Sequence, residues 1–260
     1  MSGLIDSYKK VYENKKAHIW LLVISFLWTV VSEYIDIKLG RPYTLRQNPV
    51  DIIFNILIGA YSLQFLHNAM NNINNGILPS FRELKPKVFW GVIKLNVVWG
   101  IYAIICLLFA VVIFMTTHFT PLPIIIGIAL LFMAVFVYYI FIAYSENFDS
   151  KGLMNVALLF RFVKPAFKSL YIKLILFVLF TVAAAAIYIF FYTVAGLIGI
   201  DKIGYIAEDF YFLDIIMYSI AGYFVIVTWY FAFPYSLINS YNIDIKPVLR
   251  KDDTNNGENA

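Results

Sequence analysis

Long runs without a charged side chain set the rhythm of this chain. Lys16 and Glu33 bound the first, residues 17–32; Asp51 opens a second that stays apolar to Leu66 and then turns polar. From Leu95 to Ser145 there is no Asp, Glu, Lys or Arg, far more than the ~20 residues that cross ~30 Å of hydrocarbon. The stretch TTHFTPLP, Thr116 to Pro123, divides that run, because proline donates no backbone hydrogen bond and drives the residue before it out of the helical region. The pattern therefore predicts a third helix from about Phe89 to Thr116 and a fourth from about Leu122 to Ser145. Leu174–Ile200 and Phe212–Asn239 are the fifth and sixth. The ~10-residue alternating segments of a membrane barrel are missing. The expected fold is all-α: a polytopic membrane protein of six transmembrane helices, one domain over 1–250, with a disordered polar tail over 251–260 that has too little apolar surface to offset its ordering entropy.

Composition narrows the class further. Hydrophobic residues make up 62% of the chain and charged residues 14%, against about 45–50% and about 25% in soluble domains, so the bilayer is the expected solvent. Lys9, Lys10, Lys15 and Lys16 form a basic leader, but TVVSEYIDI after the first run lacks a small-x-small cleavage pattern, which predicts an uncleaved first span. Sixteen of the 20 Lys and Arg residues fall on the side of the N-terminus, leaving Lys38, Arg41, Arg46 and Lys202 on the other. The positive-inside rule then predicts a plasma (cytoplasmic) membrane protein with both termini in the cytoplasm. Cys106 is the single cysteine and excludes an internal disulfide.

The basic residues are also spaced. Leu153, Val156, Phe160, Val163 and Phe167 recur at three and four while Arg161, Lys164 and Lys168 gather on another side. That spacing predicts short cytoplasmic interfacial helices: one from Leu153 to about Lys164, ended by Pro165, and a shorter lead-in at Arg82 to Lys87. Two readings stay open for Arg161, Lys164, Lys168, Arg82 and Lys85: contact with anionic lipid or a partner, or topology determinants alone. FRELKPKVFWGVIKL from Phe81 and FRFVKPAFKSLYIKL from Phe160 share Phe-Arg, Lys-Pro and Lys-Leu at equal spacing. Either chance or three related two-helix hairpins accounts for the echo.

GAYSLQFLHNAMNNINNGILPSFRELKPKVFWG, Gly59 to Gly91, with the later AYSENFDSKGLMNVALLFRFVKPAFKSLYIKL, resembles the bacterial and archaeal six-helix membrane proteins classified as domain of unknown function forty-thirteen. Gly59, Tyr61, Gly76, Leu78, Pro79, Phe81 and Gly91 match that layout, with Ala60 set between the Gly and the Tyr. The resemblance implies a six-helix topology and brings no catalytic or binding residues with it.

Candidate chemistry is sparse. On the second predicted helix Asp51, Asn55, Gly59 and Ser62 follow at four, four and three, and Gln64, His67, Asn68, Asn71 and Asn72 continue the polarity. Polar groups at membrane depth face protein or water, so this helix belongs inside the bundle. Its stripe either lines a cavity or pathway or makes helix–helix hydrogen bonds. Glu33 and Lys94 lie near helix ends from which they can reach an interface. His18, His67 and His118 have no metal-ligand spacing, and no His-Glu-x-x-His, Gly-x-Ser-x-Gly or Walker loop occurs, so no catalytic residue, metal or cofactor is expected. Ala183–Ala186 with Ala195, Gly196 and Gly199, and Gly127 with Ala134, read as close-packing surfaces. Pro234 is expected to kink the sixth helix, its freed backbone groups met by neighbours.

Two functions fit. One is a non-enzymatic permease-like or accessory membrane component; the other is an intramembrane enzyme acting on lipid, with acid–base groups from the Asp51, Asn55 and Glu33 region. A deep polar cavity joining those residues discriminates between them. The expected partners are the lipid bilayer with its anionic lipids, other membrane proteins or a second copy of the chain, and not nucleic acid.

Overall fold

A computed structural model describes residues 2–38, 49–117, 138–148, 156–199, 205–207 and 210–247. The connections carrying Arg41, His118 and Lys202, most of the predicted fourth helix with Gly127 and Ala134, and the tail 251–260 lie outside the described residues. The side chains of Arg161, Lys164 and Lys168 do too.

The chain is helical, as its hydropathy predicts. Helix α1 is Ser2–Tyr12, α2 Lys15–Lys38, α3 Pro49–Met70, α4 Pro86–Thr117, α5 138–147, α6 Val156–Leu197, α7 Phe212–Val225 and α8 Phe233–Ser240. A short antiparallel ribbon, Tyr205–Ala207 with Phe210–Tyr211, sits between α6 and α7. Two π-helical segments, Ile226–Ala232 and Tyr241–Ile245, join α7 to α8 and continue it, so 213–245 runs as one bent helix. Among the described residues four helices, Lys15–Asp36, Pro49–Met70, Ser169–Leu197 and Leu213–Ile245, are long and apolar enough to cross a membrane.

Pro86 begins α4, where its missing N–H costs nothing because the first turn has no acceptor for it. Phe81–Glu83 makes a single 3₁₀ turn ahead of it, and Arg82 and Lys85 are exposed. The second Lys-Pro pair behaves differently. Helix α6 does not stop at Pro165 but continues through it for 42 residues, about 63 Å at ~1.5 Å per residue. The expected break at Pro165 is therefore corrected. An internal proline costs a helix ~3 kcal/mol; past it Leu170 is fully buried and Leu174 half-buried, so tertiary burial on the same helix is available to offset that cost.

Helix α1 is an addition to the expected plan. Leu4, Ser7, Tyr8 and Val11 share one face, and it packs on α8 and the first π segment. It also touches α6, and Asn14 just after it reaches the 71–85 connection. The end of the bundle where α3, that connection and the end of α5 meet is called below the basic end. There Asn72, Asn74 and Asn75 take left-handed backbone, φ 53, 49 and 56°, followed by Gly76 at 65°. Asparagine tolerates that region and glycine adopts it freely. A Cβ on Gly76 would also lie 3.1 Å from Ala69 Cα. The turn sends Leu78 into the core, where it is fully buried; Tyr61 donates its hydroxyl to the Pro79 carbonyl and stacks on Phe81 at 4.4 Å, and Asn14 Nδ2 donates to the Leu78 carbonyl at 2.7 Å.

Helix α2 packs along α7 and α3 along α4. In its most apolar stretch α3 is 56% buried and α6 only 6%, so α3 is the central helix and α6 the peripheral one. Ala183, Ala185, Ala186, Gly196 and Gly199 of α6 are exposed; the close packing expected of them does not form among the described residues, because α6 makes most of its contacts with α8, the last π segment and α1. Gly91 does mark a tight approach. A Cβ there would fall 2.6 Å from Tyr144 and 2.8 Å from Leu63, so the missing side chain sets how closely α4 nests against α3 and α5.

Candidate functional site

The site grows from a defect in the 213–245 helix. Pro234 carries no amide proton, so the Tyr230 carbonyl four residues earlier lacks its α-helical donor. The π turn before it, in which Phe233 N–H reaches back to the Thr228 carbonyl, displaces the ladder further. Two hydroxyls from other helices answer the free acceptors: Ser62 of α3 donates to the Tyr230 carbonyl, and Tyr138 of α5 donates to the Trp229 carbonyl at 3.2 Å. The kink expected at Pro234, with its freed groups met by neighbours, thus takes the form of a π segment capped from two sides. Such segments recur where a helix serves a site. Lys173 of α6 supplies a third cap further along, donating to the Ser236 carbonyl and to Ser240 Oγ at 3.3 Å.

A cavity of about 270 Å³ lies against this defect. Helix α3 lines it with Asn55, Gly59 and Ser62, α4 with Asn96 and Trp99, and Tyr138, Trp229 and Tyr230 close it opposite. Gly59 keeps α4 near, since a Cβ there would meet Val92 Cγ1 at 3.0 Å. The Tyr230 hydroxyl donates to Asn55 Oδ1 at 3.4 Å, and Asn96 Nδ2 turns back to the Val92 carbonyl at 3.0 Å. Asn55, Asn96 and Trp99 are exposed at its rim. The lining residues supply hydroxyls, carboxamides and aromatic rings, and none of them carries a carboxylate, amine or imidazole.

The polar stripe on α3 therefore divides into three. Asp51 turns to α2, where Oδ1 accepts from Trp28 Nε1 and Ser32 Oγ, both at 2.9 Å. Asn55, Gly59 and Ser62 line the cavity. Gln64, His67, Asn68 and Asn71 belong to the basic end: Gln64 Nε2 donates to Asn68 Oδ1 at 2.9 Å, His67 Nδ1 meets the Ser145 carbonyl at 2.7 Å, and Asn71 Nδ2 donates to the Glu146 carbonyl at 3.1 Å. Glu33 is half-buried near Asp36, Asp51 and Asp214 and does not line the cavity. Lys94 is exposed. His18 stacks on Tyr12 at 4.1 Å and bonds the Tyr223 hydroxyl. Among the described residues no group of three or more His, Cys, Asp or Glu is placed to hold a metal ion.

Asn96, Trp99, Tyr138, Trp229 and Tyr230 were not expected at a site. Asn96 had a readable signal, a carboxamide just inside the charge-free run that opens at Leu95. The aromatic residues had none, because their spacing is that of any buried helix face. Comparison of the chain with protein-family models, curated proteins and solved structures finds no match.

Proposed function

We propose that this chain is a non-enzymatic integral membrane protein, permease-like or accessory to a larger assembly, whose cavity between α3, α4, α5 and the Pro234 defect holds a small solute. In this reading α2, α3, α4, the fourth helix expected from the sequence, α6 and the 213–245 helix are its six spans, and the basic end with both termini faces the cytoplasm. The cavity then lies at membrane depth, where hydrogen-bonding groups are retained for a partner or a path.

The single observation that carries the reading is the convergence of Asn55 and Ser62 on one cavity with Asn96, Tyr138 and Tyr230. What favours a binding role over a lipid-modifying enzyme is where the acidic residues stand: Asp51 is tied to Trp28 and Ser32, and neither it nor Glu33 lines the cavity.

Substituted-cysteine labelling in a Cys106→Ser background tests it. Asn55→Cys and Asn96→Cys are expected to react with a water-soluble thiol reagent in native membranes, while Ile53→Cys, on an exposed apolar position of α3, does not. Unreactive cysteines at both cavity positions would overturn the proposal. The same reagent applied from outside intact cells should label position 41 and spare position 246, and the reverse would invert the orientation.

A further inference from the structure

Resting on that reading, we infer that the ligand is a neutral, planar molecule about the size of a substituted ring, carrying an amide-like donor–acceptor pair. Each rim asparagine uses only half of its carboxamide. Asn55 accepts through Oδ1 from Tyr230 and leaves Nδ2 free; Asn96 donates through Nδ2 to its own helix and leaves Oδ1 free. Adjacent helices thus offer a wholly unused amide donor group, Asn55 Nδ2, and a wholly unused acceptor, Asn96 Oδ1, at the same cavity, the complement of an amide or lactam edge.

The walls set the rest of the ligand's shape and charge. Trp99, Tyr138, Phe141, Trp229 and Tyr230 line the cavity with aromatic surface, which favours a flat apolar body stacked or packed edge-on. The volume of about 270 Å³ lies just below the ~300–1,000 Å³ of ligand cavities, enough for roughly one ring and a polar substituent. None of the described lining residues bears a charge, and burying an ion without a partner is costly, so anions are disfavoured. Aromatic faces attract cations, but a cation too would meet no carboxylate among these residues, and the free donor of Asn55 would stay unused.

Benzamide is the probe, with benzoate, benzyltrimethylammonium and toluene as its anionic, cationic and apolar counterparts. Binding is read by the fluorescence of Trp99 and Trp229 in purified protein held in nanodiscs, against empty nanodiscs. Benzamide is expected to bind saturably, with the other three at least about tenfold weaker, the effect of losing one or two neutral hydrogen bonds or adding an unpaired charge. Asn55→Leu and Asn96→Leu should each weaken benzamide about tenfold and leave toluene unchanged. The comparison among the four probes needs no variant, so it holds even where a substitution prevents folding. Tighter binding of benzyltrimethylammonium or benzoate, equal binding of toluene, or no saturable benzamide signal would each overturn the assignment. Reactive cavity cysteines combined with absent benzamide binding would refute the ligand class and leave the cavity's role standing, whereas unreactive cysteines would remove both.

Discussion

Ser62, midway along α3, donates its hydroxyl to the Tyr230 carbonyl, the acceptor that Pro234 leaves without a helical donor. The pairing links the central helix to the weakest point of the 213–245 helix, and the cavity forms beside it. Removing the hydroxyl leaves that carbonyl without its side-chain donor. Ser62→Ala is expected to destabilise the protein by about 1 kcal/mol, in the range of interhelical hydrogen bonds in membranes. A Pro234→Ala background restores the amide donor on the helix itself, and there the Ser62→Ala penalty should fall by at least half. Unfolding in mixed micelles measures the cycle; an equal penalty in both backgrounds would show that the proline does not create the need for Ser62.

Two glycines on α4 should respond oppositely to alanine. At Gly91 the new Cβ meets Tyr144 and Leu63 at 2.6 and 2.8 Å, while at Gly100 nothing lies within 4 Å. Gly91→Ala is expected to cost about 1–3 kcal/mol by overpacking, and Gly100→Ala to gain up to about 1 kcal/mol of helix propensity. The same unfolding measurement separates them, and a neutral Gly91→Ala would mean that α4 can move away from α3 without loss.

At the basic end, Glu146 pairs with Lys246 and also accepts from the Tyr241 hydroxyl at 3.3 Å. Lys87 adds a cation 4.3 Å above the ring of Phe148, two residues after Glu146. The pair ties the end of α5 to the last π segment and is about four-fifths buried on the glutamate side. Lys246→Met should cost roughly 1–3 kcal/mol by leaving the carboxylate underpaired. The exchanged pair Glu146→Lys with Lys246→Glu should recover more than half of that. Failure of the exchange to recover stability would assign the contact to packing of the long side chains.

The helical character was legible because uncharged runs are strong local signals, but α4 starts at Pro86, about one turn before the expected Phe89. Pro165 misled because a proline's local penalty can be offset by tertiary burial along the same helix, such as that of Leu170, which sequence spacing does not weigh. Helix α1 was hidden by its lysines, which masked the Leu4, Ser7, Tyr8 and Val11 face. The cavity was half legible: period and polarity placed Asn55 and Ser62 together, but only the fold brings Tyr138 and Tyr230 opposite them. Asp51, one helical turn before Asn55 on the same stripe, was drawn away by the indole of Trp28, a partner on another helix that sequence spacing does not reveal.

Helix α1 provides the last prediction, through pH. Tyr8 is half-buried, bonded to Thr228 at 2.7 Å and packed against Phe177 and Phe180 at 6.1 and 5.3 Å. Burial pushes its phenol from 10.0 up to about 12, with the Thr228 bond acting the other way and Tyr12 adding slightly to the rise. The neutral phenol is thus the form that α1 docks with. Docking stability is complete below pH 10, where docked and undocked helices are both protonated, and is lost as pH rises from 10 through about 12, where only the undocked form ionises. An environment-sensitive fluorophore on Ile5→Cys in the Cys106→Ser background reports release of the helix, since Ile5 points away from the bundle with 64% of its surface exposed. The decisive comparison is with Tyr8→Phe, which keeps the ring contacts and has no phenol to ionise at this position. Wild-type α1 should undock between pH 10 and 12 and the Tyr8→Phe protein should hold further; coincident profiles would remove Tyr8 as the source of the pH response.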